Sequence, residues 1–113
     1  MTPAEFRRLA LGLPDAVEGS HMGHSDFRVG GKIFATLGYP SAEWGMVKLT
    51  PRQQDELVRA FPATIAPAKG AWGARGITSV KLLPAKRDIV LEALRTAWGN
   101  TAKRATRTRP DKR

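Results

Sequence analysis

The chain contains no cysteine, which excludes disulfides, thiolate nucleophiles and any cysteine-based metal site. Aromatic residues make up only 7% of it. Three of these are tryptophan, however, and a hydrophobic content of 42% is that of a folded domain rather than a disordered chain. No apolar run approaches the ~20 residues needed to cross a bilayer. The N-terminus lacks a signal-peptide pattern, so a cytoplasmic location is expected. Acidic residues are scarce, 10 Asp/Glu against 19 Lys/Arg, and the net charge is +9. That excess is uneven: residues 101–113 hold six Lys/Arg and one Asp, a net +5, which leaves +4 for residues 1–100. A basic tail is usually a solvated or nonspecific polyanion element, so the functional weight of the charge falls on the milder part.

With 113 residues, the chain is expected to form one domain over residues 1–100, followed by a disordered basic tail over 101–113. Residues 26–37 organise that domain. Two β-prone runs flank Gly30-Gly31, a short-range hairpin signal. A two-residue loop would pair Val29 with Lys32 and mix apolar and charged residues on both faces. A three-residue loop with Gly31 in a left-handed bulge pairs Arg28 with Lys32 and Phe27 with Ile33. Phe27, Ile33, Ala35 and Leu37 then share one face, while Asp26, Arg28, Lys32, Phe34 and Thr36 share the other. Because register follows the hydrophobic pattern, the second pairing is preferred. It sets Arg28 and Lys32 side by side, where like charges repel unless Asp26, Glu43 or a bound anion neutralises them.

Thr2, Pro3 and Glu5 carry the signature of a helix start, and Phe6, Leu9, Ala10 and Leu13 form its apolar stripe. Residues 17–22 read as a weak strand, and residues 44–49 alternate as another. Thr50-Pro51-Arg52-Gln53 repeats the capping pattern before a second helix, which Pro62 ends. Residues 62–76, rich in Pro, Gly and Ala, form a long segment around Trp72 that is either a functional loop or hides a short strand. Residues 77–82 are a strand. A third helix opens at Pro84 and closes at Gly99-Asn100.

The implied fold is α+β, a two-layer sandwich with an antiparallel sheet of four to five strands and three helices on one face. The other face would carry Arg28, Lys32, Lys48 and Lys81, interleaved with Phe34, Trp44 and Met46. Basic residues alternating with aromatics suit nucleic acid, through phosphate pairing and base stacking. A helix or the 62–76 segment could equally cover that face and make its aromatics core. Catalytic chemistry has little support. His21, His24 and Asp26 lack a third clear metal ligand, no serine sits in a nucleophile elbow, and Gly70, Gly73 and Gly76 match no phosphate loop. No metal, cofactor or membrane partner is expected. A small-molecule or enzymatic site would need a closed pocket joining His21, His24 and Trp72.

Leu13-Pro14 with Glu18, the run from Asp26 through Arg28, Gly31 and Lys32 to Ala35, Lys48-Leu49-Thr50-Pro51, and Gly76-Ile77-Thr78-Ser79-Val80 together resemble the MmcQ/YjbR family of small bacterial proteins. The resemblance covers roughly residues 1–100. It implies the α+β fold shared by type III secretion chaperones and frataxin-like CyaY proteins, and a double-wing mode of DNA binding through β-hairpin loops. Carried onto this chain, the wing positions are Arg28, Gly31 and Lys32, with Lys48 and Lys81 on the strands. The acidic ridge that serves iron in frataxin-like proteins has no counterpart, since the first helix carries Arg7 and Arg8 and only Glu5. The expectation is a non-enzymatic, phosphate-directed DNA-binding protein using Arg28, Lys32, Lys48, Lys69, Arg75 and Lys81. The alternative is a protein-interaction adaptor or chaperone-like homodimer that uses the open sheet face.

Overall fold

The structure, a computed structural model, describes residues 1–39, 41–83 and 85–108. Capping boxes start the first two helices. The Thr2 hydroxyl accepts from the Glu5 backbone while the Glu5 carboxylate accepts from the Thr2 backbone, and Thr50 and Gln53 repeat the exchange. These boxes begin α1 (Pro3–Leu11) and α2 (Pro51–Ala60), each with proline in its first turn, where no backbone N–H is needed. Six strands form one sheet: β1 (Val17–His21), β2 (His24–Val29), β3 (Lys32–Leu37), β4 (Trp44–Lys48), β5 (Ile65–Pro67) and β6 (Ile77–Lys81). Their order is β1-β2-β3-β4-β6-β5, and every neighbouring pair is antiparallel. A short helix α3 (Gly70–Ala74) and a long one, α4 (Arg87–Thr108), complete the chain.

Helices α1 and α4 pack on one face of the sheet. Phe6 of α1 is fully buried and meets the Phe27 ring at 6.1 Å. A Cβ at Gly45 would stand 2.7 Å from the Phe6 ring, so the absence of a side chain there lets α1 approach β4. Val90, Ala93, Leu94 and Ala97 of α4 join Val47 and Val80 in the same core. The Trp98 indole donates to the Pro14 carbonyl at 2.9 Å, tying α4 to the end of the α1 loop. Residues 62–76 are not a structureless loop: β5 adds an edge strand and α3 a helical turn, which brings the totals among the described residues to six strands and four helices. Short elements of three and five residues leave too little periodicity to be read from sequence.

The hairpin register departs from expectation. Gly30 and Gly31 both have positive φ, 60° and 79°, so they form a two-residue type I′ turn that pairs Val29 with Lys32. The mixing of apolar and charged faces that this turn would cause is corrected further along. Arg28 lies opposite Ile33, Phe27 opposite Ala35, and Phe34 is the extra residue of a β-bulge. Phe34 and Ala35 therefore both enter the core, with Phe27 and Val29, while Ile33 turns to the other face. Arg28 and Lys32 are not paired.

The long helix also departs from the sequence pattern. It continues through Gly99-Asn100 as far as Thr108, so residues 101–108 are helical rather than disordered. Asn100 is occupied with tertiary contacts instead of closing the helix. Its amide donates to Gln53 Oε1 at 2.7 Å and to the Lys48 carbonyl at 3.4 Å, and Gln53 donates back at 3.2 Å. Thr101 is then buried and Ala102 packs on the core. The expected helix start at Pro84 and the rest of the expected tail, residues 109–113, lie outside the described residues.

Two stability measurements follow. Gly99 sits inside a helix with open space around its Cα, so Gly99→Ala should raise the urea unfolding free energy by about 0.5–1 kcal/mol; no gain would mean the helix ends there. Gly76 has φ +107°, and a methyl group there would run into the Leu49 carbonyl. Gly76→Ala should therefore cost at least about 1–3 kcal/mol in the same titration.

Candidate functional site

Register partners in an antiparallel sheet share a face. Gly45 and Val47 face the helices, so Trp44, Met46 and Lys48 face away, with their partners Lys81, Ser79 and Ile77 on β6. Thr36 continues this face onto β3, Asp26 onto β2 and Gly19 onto β1. A groove of about 410 Å³ lies on it. Ile33, Thr36, Met46 and Ile77 line the groove on the strands, and Met22, Tyr39 and Trp72 line it from the β1–β2 turn, the β3–β4 loop and α3. His21 and His24, paired across the first hairpin, line it as well. One groove thus joins His21, His24 and Trp72.

Its walls are aromatic and exposed. The Tyr39 ring meets His24 edge-on at 5.6 Å and Trp72 at 6.4 Å, yet Tyr39 stays 43% exposed and Trp72 56%. Met22 is 91% exposed and has a φ of 51°, a left-handed conformation that is unusual for a side chain without a local hydrogen-bonding group.

A buried carboxylate underlies the β1–β2 side. Asp26 is fully buried, and Arg28 grips it with two hydrogen bonds, Nε to Oδ1 at 2.7 Å and a terminal nitrogen to Oδ2 at 3.0 Å. His21 Nδ1 is 2.7 Å from Oδ2. The Arg28 guanidinium, chiefly, and then the His21 contact hold the Asp26 carboxyl below the usual aspartate range, against the opposing effect of burial. An ionised carboxylate has no proton to give, so Nδ1 of His21 carries the hydrogen and donates it. Gly19, paired with Asp26, makes room for this arrangement: a Cβ there would stand 3.0 Å from both Arg28 Nε and Asp26 Oδ1.

Positive charge gathers at the end of the sheet where β3 and β6 begin and β4 finishes. Lys48 and Arg75 line the groove there. Burial, then repulsion from Arg104 and from Lys32, lowers the Lys48 pKa from the ordinary lysine value, which places two further cations near that amine. Among the described residues, no carboxylate forms an ion pair with Lys32, Lys48 or Arg75.

Of the six cations singled out from sequence, Lys48 and Arg75 thus line the groove. Lys32 stands near Lys48 at the hairpin tip but, opposite the core residue Val29, belongs to the helix side of the sheet and not to the open face expected for it. Lys81 shares the face at the Trp44 end, and Lys69 is the exposed residue preceding α3. Arg28 is committed to Asp26. Trp44 and Met46 occupy the open face as the alternation implied, whereas Phe34 is core. The sequence pattern missed Met22 and Tyr39 as walls, because only the meeting of three distant loops makes them neighbours. It also missed Arg8, Arg87 and Arg95, which line a second groove between α1 and the first half of α4.

This is a two-layer α+β protein with one helix-covered sheet face and one grooved face. The YjbR family model matches residues 11–100, and the chain belongs to that family. Among solved structures, the crystal structure of the Deinococcus radiodurans protein DR2400, a DUF419-domain protein, is similar, with a TM-score of 0.71 at 20% sequence identity. The match covers 93% of this chain and 88% of that one, and at this identity it speaks for the fold alone. A search of curated proteins finds no match. Among the described residues no helix is long and apolar enough to cross a membrane.

Because folding lowers the Asp26 pKa, its contribution to stability is complete above the ordinary aspartate value of 3.8 and is lost as pH falls through the folded value. Asp26→Asn should lower the unfolding free energy at neutral pH by about 1–3 kcal/mol, less than a fully buried pair would lose, because Arg28 and His21 can rehydrate. The gap between the two proteins should narrow below that pH when urea midpoints are compared. A gap that stays constant into acid would show that the carboxylate charge is not what matters.

Proposed function

We propose that the protein binds DNA, mainly through the phosphate backbone and with little sequence selectivity, using the grooved sheet face and the β2–β3 hairpin tip as a wing. The observation that carries this is the meeting of Lys48 and Arg75 in an aromatic-walled groove, with Lys32 of the hairpin tip close to Lys48, all three unpaired with carboxylates among the described residues. A cluster of like charges in a partly desolvated setting raises the energy of the protein alone and is relieved by a polyanion. Lys69 and Lys81 extend the charged surface. Arg28, neutralised by Asp26, serves to shape the face instead of meeting phosphate. The proposal is one of binding without catalysis: His21 has an orienting carboxylate, but Ser20 and Ser25 alternate onto the other face of the hairpin. A cytoplasmic location belongs to the same proposal.

A second reading, a protein-interaction adaptor or chaperone-like homodimer, is favoured by one specific feature: Met22, Tyr39 and Trp72 expose apolar surface together. Light scattering separates the two, since a stable dimer that Trp72→Ala dissociates would favour the adaptor.

Salt dependence of duplex binding tests the leading proposal. Each phosphate contact contributes ~0.9 to the slope of log affinity against log salt. The variant Lys32→Glu/Lys48→Glu/Arg75→Glu should bind duplex more weakly and lose roughly 2–3 units of slope. A full-length protein with Arg107, Arg109, Lys112 and Arg113 changed to Gln should keep most of its slope. If the second variant loses all binding and the first loses none, the sheet face is not the DNA site.

A further inference from the structure

We propose that the groove receives one unpaired base of a single-stranded nucleic acid. The base stacks against Trp72 and Tyr39, and its phosphate meets Lys48 and Arg75. This rests on the phosphate-binding proposal above and adds to it the state of the ligand.

Shape and chemistry both point to an unstacked base. The groove is concave, apolar along its floor at Ile33, Met46 and Ile77, and walled by two rings from separate segments. A duplex keeps its bases stacked inside and presents phosphates to a surface of this kind, whereas a splayed base can enter it. Exposed aromatic rings are stacking platforms that any base can use. Met22 adds a second, independent sign: a methionine held in the left-handed region and almost wholly exposed at the groove's edge is unfavourable for the protein alone. Strain and exposure concentrated at one rim are a mark of a binding site. His21 supplies a polar group. Its Nδ1–H is taken by Asp26, so in the neutral ring Nε2 is left to accept a hydrogen bond, of the kind an exocyclic amino group on a base can donate. Charge complementarity selects this occupant over an apolar peptide or a second copy of this basic chain. Lys48 and Arg75 line the groove, and Lys32 stands close enough to Lys48 to affect its ionisation.

The test compares a single-stranded oligodeoxynucleotide, the same strand with one abasic position, and the corresponding duplex, all with the full chain at one salt concentration. The normal protein should bind the single strand more tightly than the duplex, with quenching of tryptophan fluorescence. Trp72→Ala should weaken single-strand binding roughly 5- to 100-fold, a clearly larger factor than its effect on duplex binding, without lowering the salt slope. Met22→Gly should raise the melting temperature by relieving the turn, yet weaken single-strand binding, so a loss there cannot be ascribed to unfolding. Equal effects of Trp72→Ala on both ligands, or no effect on either, would overturn the base-in-groove proposal while leaving the phosphate proposal standing. Lys48→Glu/Arg75→Glu should weaken both ligands. If it weakens neither, the phosphate proposal fails first. A dimer that blocks the groove and dissociates in Trp72→Ala would also overturn it.

Discussion

One extra residue in a hairpin, Phe34, sets much of what the two faces of this sheet can do. A two-residue turn at Gly30-Gly31 fixes the pairing of Val29 with Lys32 and of Arg28 with Ile33, and without correction that register would carry Ala35 and Leu37 to the grooved face and Thr36 inward. The bulge at Phe34 reverses the alternation from Ala35 onward. Phe34 and Ala35 then both enter the core under α1 and α4, while Ile33, before the bulge, stays on the groove floor. Returning Ala35 and Leu37 to the helix side stabilises by about 0.8 kcal/mol for each CH2 group buried, which offsets one irregular ladder position, so the bulge wins over regular pairing.

Electrostatics divides the grooved face into a neutral side and a positive end. On the β1–β2 side, Asp26, Arg28 and His21 satisfy one another inside the sheet's outer surface, and Gly19 leaves the space they need. The exposed pairs Arg52–Glu56 and Arg59–Asp55 on α2 are of a different kind, each contributing about 0.3–0.5 kcal/mol and little specificity. At the other end Lys32, Lys48 and Arg75 gather without such compensation. The net charge of the chain says little about this, because its larger share lies after residue 100. Position, not total charge, makes the surface.

The groove depends on pieces that are far apart in sequence. Trp72 comes from α3, held in place where Gln54 of α2 donates to the carbonyls of Gly73 and Ile77 and to the Thr78 hydroxyl. Tyr39 comes from the β3–β4 loop and Met22 from the β1–β2 turn. The same α2 holds α4 through the Gln53–Asn100 pair, so the helix that covers one face and the segment that walls the other are anchored to one short helix. That coupling is why a helix broken on paper at Gly99-Asn100 runs on to Thr108.

Local chemistry in the sequence was enough to determine the starts of α1 and α2, the alternation of β4 and β6, the two-layer α+β class and the family. Capping boxes and period-two patterns act within a few residues, so no distant contact is needed to read them. The same local logic placed Lys48, Lys81, Trp44 and Met46 on the uncovered face. Tertiary structure decided the rest. It chose the turn and bulge over the simpler register, since only packing against α1 and α4 rewards bringing Ala35 and Leu37 inside along with Phe34. It gave Arg28 to Asp26 instead of setting it beside Lys32, and it carried α4 past Asn100 because Gln53 and the core were there to receive that residue and the next. It also brought Met22, Tyr39 and Trp72 together with His21 and His24 around one groove, an arrangement that exists only once three loops have folded over the same face of the sheet.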